Sequence, residues 1–279
     1  MTTKGEMPPM NKQKKYDRDG NLKSRGIEWT DYTWNPVAGC HHGCEWQMPD
    51  GSVASCYADD VATGIASAAY PHGFDHHYYH PTKLADPQRV KSPARIFTGS
   101  MADVFGHWVP EQHIEDVLLA VHSAPRHTFQ LLTKNAVRTK KFDMPPNAWV
   151  GASSPPDFMW GRRLSRHQQN KMLSRTLTSL QQVSVPVRWM SFEPLSWDVS
   201  HIVRAYPGVL QWAVIGAASN GRKTYAPNER HVVRLVAELD AQGIPVFFKG
   251  NLESLPWASK HWREEFPTNP QATTQRSLF

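Results

Sequence analysis

Outside residues 33–60 the chain contains no cysteine. Cys40, Cys44 and Cys56 all fall within "TWNPVAGCHHGCEWQMPDGSVASCYADD". Three is an odd number, and a cluster this tight cannot staple a fold of 279 residues, so a disulfide framework is excluded. No apolar run approaches the ~18–20 residues that span a bilayer. The first residues, "MTTKGEMPPMNKQKKYDRDGNLKSRG", lack the apolar core of a secretory signal. A cytoplasmic location is therefore expected, with no membrane partner. No glycine-rich phosphate fingerprint follows the first strand candidate, which disfavours a doubly wound dinucleotide fold. No helix-turn-helix or zinc-finger pattern is present, so sequence-specific reading of DNA is not indicated.

Apolar and charged residues make up 40% and 20% of the chain, ordinary values for a packed core. The net charge is +6, and the sequence pI is ≈ 9.2. Residues 1–26 are polar, basic and without periodicity, and are expected to be a disordered tail. Residues 266–279 are expected to be a second, flexible tail. One domain is placed at 27–265.

Within that domain, short apolar runs alternate with longer amphipathic segments. The runs are "TWNPVAG", "ARIFTGS", "TFQLLTK", "AWVGASS", "VRWMSFEP", "WAVIGAAS" and "PVFFKG". Helices are expected in "SCYADDVATGIASAAY", "EQHIEDVLLAVHSA", "WGRRLSRHQQNKMLSRTLTSLQQV" and "NERHVVRLVAELDAQG". In the last, Val232, Val233, Leu235, Val236 and Leu239 form one apolar face. The alternation predicts an α/β fold, a full or partial (β/α) barrel of about six to seven parallel strands. Functional groups of such folds sit at the C-terminal strand ends. Those ends carry Cys40, Ser100, Asp103, Lys134, Ser153, Ser154, Glu193, Ser219, Asn220 and Lys249.

The cysteine spacing is C-x3-C-x11-C. Three chemistries are open. A structural zinc ion needs four ligands, and His41 or His42 is available as the fourth. A nucleophilic thiol needs one cysteine and a base. An iron–sulfur cluster on three thiolates leaves one iron open for a small molecule, since a 4Fe–4S cluster normally takes four.

The words "WTDYTWNPVAGC", "CYA", "HPTKL", "IFTGSMADVF", "HTFQLLTK", "WVGASS", "MSFEPL", "WAVIGA" and "GIPVFFK" run in order from residue 29 to 249. In them the chain resembles a phage- and prophage-associated branch of the radical S-adenosylmethionine (SAM) superfamily. The resemblance implies a radical SAM barrel in which Cys40, Cys44 and Cys56 ligate a 4Fe–4S cluster. It implies that the open iron chelates SAM, and that an electron from a flavodoxin or ferredoxin cleaves SAM to a 5′-deoxyadenosyl radical. Tyr57, Ser100, Asp103, Ser153 and Glu193 become cofactor-binding candidates. Glu193, Lys134 and Lys249 become catalytic candidates. The chain departs from the pattern in its eleven-residue spacer, "EWQMPDGSVAS", where the superfamily usually has two. It also carries Ala217 and Ala218 where the branch often has a glycine and a carboxylate.

In "YPHGFDHHYYHP", His76 and His80 have ligand spacing, but Pro71, Gly73 and Pro81 favour a loop. His80 is the substrate candidate because "HPTKL" matches the branch. From Phe158 to Phe192 every charged residue is basic: Arg162, Arg163, Arg166, Lys171, Arg175 and Arg188. Arg162 with Arg166, and Lys171 with Arg175, are spaced to share a helix face. They read either as a solvated face or as a track for a phosphate backbone. The expected function is radical modification or rearrangement of a base or base adduct in phage DNA, such as a hypermodified pyrimidine. The alternatives are a repair lyase of spore-photoproduct-lyase type, or a non-enzymatic nucleic-acid-binding protein whose thiolates hold zinc or a cluster for structure.

Overall fold

Each of the seven apolar runs becomes a parallel strand. The computed structural model of the chain describes residues 10–16, 22–24, 26–219 and 224–268. The main sheet begins at an antiparallel edge strand, β1 (Asn11–Lys12). Seven parallel strands follow in chain order: β2 (Tyr32–Trp34), β3 (Arg95–Thr98), β4 (Thr128–Thr133), β5 (Ala148–Ser153), β6 (Val187–Phe192), β7 (Trp212–Ile215) and β8 (Val246–Phe248). Among the described residues no pairing joins β1 to β8, so the sheet is not a closed barrel.

Both faces are buried, as a parallel sheet requires. Strand alternation assigns each residue to a face. One parity (Phe129, Leu131, Val150, Met190, Phe192, Ala213, Ile215, Val246 and Phe248) belongs to the large core shared with the helices. Helix α1 (Tyr57–Thr63) packs Ala58 and Ala62 against Phe74 in a separate cluster, and the helices of the large core include α2 (Glu111–His122), α3 (Arg166–Gln181), α4 (Ser200–Arg204) and α5 (Glu229–Ala241). The other parity (Phe97, Trp149, Trp189, Trp212, Val214 and Phe247) packs with Trp29 into a second core. Four of the eleven tryptophans therefore fill the inner face. Gly151 makes this possible, because a Cβ there would lie 2.4 Å from the Trp189 ring. Gly151→Ala is expected to cost about 1–3 kcal/mol by overpacking, seen as a lowered urea midpoint with unchanged m-value.

Several expectations are corrected. Part of the segment assigned to an N-terminal tail is structured: β1 joins the sheet, Met10 and Gln13 are buried, and Lys15–Tyr16 pairs with Leu22–Ser24. The C-terminal tail does not begin at 266, because Phe266 stacks on Trp212 and lies under the Arg95 guanidinium. Residues 269–279 and the strand-six candidate Asn220 lie outside the described residues. The first helix stops at Thr63, one residue before Gly64. On α5, Val233 is exposed while its four apolar partners are buried.

Arg162 is not on a helix. Phe158–Met159 and Arg162–Arg163 form a hairpin. Helix α3 starts only at Arg166, where a capping box fixes it: Ser165 Oγ accepts from the Gln168 amide, and Gln168 Oε1 accepts from the Ser165 amide. Arg162 and Arg166 thus share no helix face, whereas Lys171 and Arg175 both lie exposed on α3. No helix among the described residues is long and apolar enough to cross a membrane.

Candidate functional site

The inner-face parity that places tryptophans low in the strands continues past their C-terminal ends. Gln130, Leu132 and Lys134 share one parity; so do Trp149, Gly151 and Ser153; so do Trp189, Ser191 and Glu193; and so do Phe247 and Lys249. The result is a cavity of ≈ 430 Å³ bordered by Lys134, Ser153, Ser191, Glu193 and Lys249, with Trp29 and Phe97 among its apolar walls. Lys249 Nζ and Glu193 Oε1 form an ion pair across it. Gly216 leaves room for that pair, because a Cβ there would lie 2.8 Å from Lys249 Cδ and 3.4 Å from Glu193 Cδ.

The cysteine loop closes the other side. Its eleven-residue spacer is a β-hairpin: Glu45–Gln47 pairs with Val53–Ser55, with Glu45 opposite Ser55. The turn is held by the Met48 amide on Ser52 O at 2.7 Å and the Gly51 amide on Met48 O at 2.9 Å. Trp46 and Ala54 anchor the hairpin against Ala218. The hairpin begins just after Cys44 and ends just before Cys56, so pairing returns the third cysteine to the second. The two thiols are near enough for each to shift the other's ionisation. Cys56 also caps α1, its carbonyl accepting from the Asp59 and Asp60 amides. Cys40 is fixed by its amide on Phe74 O at 2.7 Å. All three cysteines are free thiols and border one cavity of ≈ 510 Å³. Cys44 and Cys56 also border the strand-end cavity, with Tyr57.

The electrostatics follow from this packing. The hydrogen bond from Cys56 holds the Cys44 thiol well below its ordinary range, with help from Lys134 against burial. Giving that bond, together with burial, holds Cys56 high. Burial pushes Cys40 up to about 12. Lys134 is held above the ordinary lysine range, chiefly by Cys44 and then by the other thiols and Asp103. Lys134 thus lies in the field of all three sulfurs and is chiefly the counter-charge of Cys44.

Asp103 is 4% exposed and fully engaged. It accepts from His42 Nε2 at 2.7 Å, the Lys134 amide at 2.8 Å, Thr133 Oγ1 at 3.0 Å and the Phe105 amide at 3.0 Å. Burial alone would raise its carboxyl, but the bonds from His42, Lys134 and Thr133 outweigh burial and hold it below the usual carboxylate range. Asp103 therefore ties the cysteine loop to the end of β4 and is not a free acceptor on the cavity wall. Ser100 is similarly occupied: its hydroxyl exchanges hydrogen bonds with Asn35, and its carbonyl accepts from Tyr57 Oη at 2.6 Å.

Lys134, Ser153, Ser154 and Pro156 also border a second cavity of ≈ 220 Å³. Met159, Met172, Arg175 and Thr176 border it as well. Arg175 on α3 is thereby connected to the strand-end cavity. Arg163 pairs with Asp157 at 2.6 Å, and Arg166 lies over the Trp197 ring. His80 borders none of these cavities; its amide donates to Pro36 O at 2.8 Å.

A metal group is tested by this donor set. Of the two loop histidines, His42 has its Nε2 bound to Asp103, and His41 stacks on Trp108 and borders the thiol cavity. Among the described residues no three His, Cys, Asp or Glu side chains are placed to grip one metal ion. An iron–sulfur cluster makes a different demand, since each thiolate binds a separate iron and no common centre is needed. Three free thiols around one cavity, with a lysine counter-charge, fit such a cluster.

Sequence reasoning did not single out the His42–Asp103 bond, nor Glu28 and Asn251 on the cavity wall. Only the tertiary arrangement brings those segments together. Ala217 and Ala218 are buried small residues, and the Ala217 amide donates to Asn251 Oδ1 at 3.1 Å.

Among solved structures, spore photoproduct lyase complexed with dinucleoside spore photoproduct is 9% identical, covering 78% of this chain and 77% of that chain at a TM-score of 0.47. A cysteine-to-serine mutant of the same enzyme is 8% identical, covering 78% and 77% at a TM-score of 0.48. No curated protein sequence matches the chain. With residues 24–265 matched by its sequence model, the chain belongs to the family described as Protein of unknown function (DUF5131).

Proposed function

We propose that this chain is a radical SAM enzyme of partial-barrel type that acts on a base or base adduct in DNA. The observation that carries the reading is the return of Cys56 to Cys44 by the spacer hairpin, which leaves three thiols bordering one cavity beside the strand-end cavity. Cys40, Cys44 and Cys56 would hold a 4Fe–4S cluster, which, with SAM and an electron from an external donor, would supply hydrogen-abstraction chemistry. The chain's own residues bind and position. Lys134 balances the thiolate charge. Ser153 and the Glu193–Lys249 pair offer a hydroxyl, a carboxylate and an ammonium to SAM or substrate. The tryptophan layer beneath, with Leu132 and Phe97 on the wall, keeps the cavity floor apolar and poor in water.

The substrate assignment rests on charge and connectivity. Arg175 borders the second cavity, and Lys171 lies one helical turn before it. A phosphate held there borders the same cavity as Lys134. If the substrate is duplex DNA, the base must leave the stack to enter.

The test is mass spectrometry of DNA hydrolysates after anaerobic reaction with reductant and SAM deuterated at the 5′ position. Deuterium in a modified nucleoside, or a new nucleoside mass in the hydrolysate that forms together with 5′-deoxyadenosine, supports the reading. Deoxyadenosine formation with unchanged DNA removes DNA as substrate. Arg175→Glu is expected to weaken DNA binding and lower the salt slope by about 1; unchanged binding in a salt titration counts against this assignment.

A further inference from the structure

The turn of the Phe158–Met159/Arg162–Arg163 hairpin consists of Trp160 and Gly161, at φ 54° and 71°. A two-residue turn with both central φ positive normally takes Asn-Gly, Asp-Gly or Gly-Gly. Trp160 is the only residue other than glycine with positive φ among the described residues. It is also their only exposed tryptophan, at 63%. A bulky side chain in this conformation is strained, and displaying its ring to solvent gains nothing for folding. Strain held at a surface points to a use.

The hairpin beneath is well anchored. Phe158 is buried, the Leu164 amide donates to Asp157 O at 2.8 Å, and Arg163 pairs with Asp157. Met159, just before the turn, borders the second cavity. Gly161, just after Trp160, donates its amide to Glu45, which borders the strand-end cavity. Trp160 is therefore presented on a rigid support between residues of the two cavities. Arg162 beside it is exposed and makes no ion pair among the described residues.

We propose that Trp160 is a stacking platform for a nucleobase of single-stranded or unstacked DNA at the cavity mouth, with Arg162 placed for an adjoining phosphate. An indole face accepts any base by stacking, and the cation adds salt-dependent affinity. This deepens the DNA reading of the previous section and rests on it. It assigns the hairpin the task of holding strand or base outside the cavity while the reacting base is inside.

The experiment is fluorescence anisotropy of a labelled single-stranded oligonucleotide against wild type, Trp160→Asn and Trp160→Phe across a salt series. Asparagine suits positive φ, so Trp160→Asn keeps the turn and removes only the ring. The expected result is binding weaker by about 5- to 150-fold for Trp160→Asn with an unchanged salt slope, and near wild type for Trp160→Phe. Wild type and Trp160→Asn binding equally well overturns the platform and leaves DNA as substrate. Wild type that does not bind the oligonucleotide overturns both.

Discussion

Cys56→Ala is expected to lower 5′-deoxyadenosine formation by more than about 100-fold and to leave anaerobically reconstituted protein without its brown 4Fe–4S absorbance. Second-shell changes at metal sites already cost 10–100-fold, so a lost ligand costs at least that much. Cys56 is the informative position because it lies furthest from the other two in sequence. Its place beside Cys44 depends on the hairpin register Glu45 to Ser55, and not on the short C-x3-C loop. The substitution removes the interaction between the two thiols but leaves the backbone cap of α1, which uses the Cys56 carbonyl. Folding should therefore be nearly unchanged, and the loss should appear in iron content and turnover. Retention of the absorbance with wild-type turnover would show that Cys56 is no ligand.

Asp103→Ala is expected to destabilise the fold by about 3–5 kcal/mol, the cost of removing one partner from a buried charged network. The variant leaves the Lys134 and Phe105 amides, the Thr133 hydroxyl and the His42 ring without their acceptor. It also releases the cysteine loop from β4, so cluster loading should fall with stability. Urea unfolding reads the first effect as a lower midpoint at constant m-value. The pH dependence has a fixed sign. The folded carboxyl lies below its unfolded value of about 3.9, so its contribution is fully present above that pH and is lost as pH falls through the folded value. Were Asp103 only a cofactor contact, its replacement would change stability by less than about 0.5 kcal/mol.

The strand skeleton was legible because parallel strands buried on both faces must be near-continuous apolar runs, and all seven were. The strand-end residues were legible for the same reason: once a strand is placed, parity decides what faces inward. Lys134, Ser153, Glu193 and Lys249 reach one cavity by that rule. Asp103 and Ser100 follow no strand parity, and both proved to be bonded into the scaffold. Arg162 was misplaced because its spacing to Arg166 is helical, while Trp160-Gly161 and the Ser165 cap impose a turn first. The Met10 and Phe266 segments were read as tails because their polar neighbours hide single apolar anchors. Such anchors have no period and become visible only against the surface they cover. Pro49, Asp50 and Gly51 favour a turn within the spacer, but its pairing depends on Trp46 finding Ala218 far along the chain.

The central claim is that three sulfurs converge on one cluster that engages SAM. Electron paramagnetic resonance of the anaerobic, dithionite-reduced protein tests it most directly, with iron and zinc measured on the same sample. The account predicts about four irons per chain, little zinc, and a reduced-cluster signal whose shape changes when SAM is added. Colourless protein with one zinc per chain and no iron signal would contradict it.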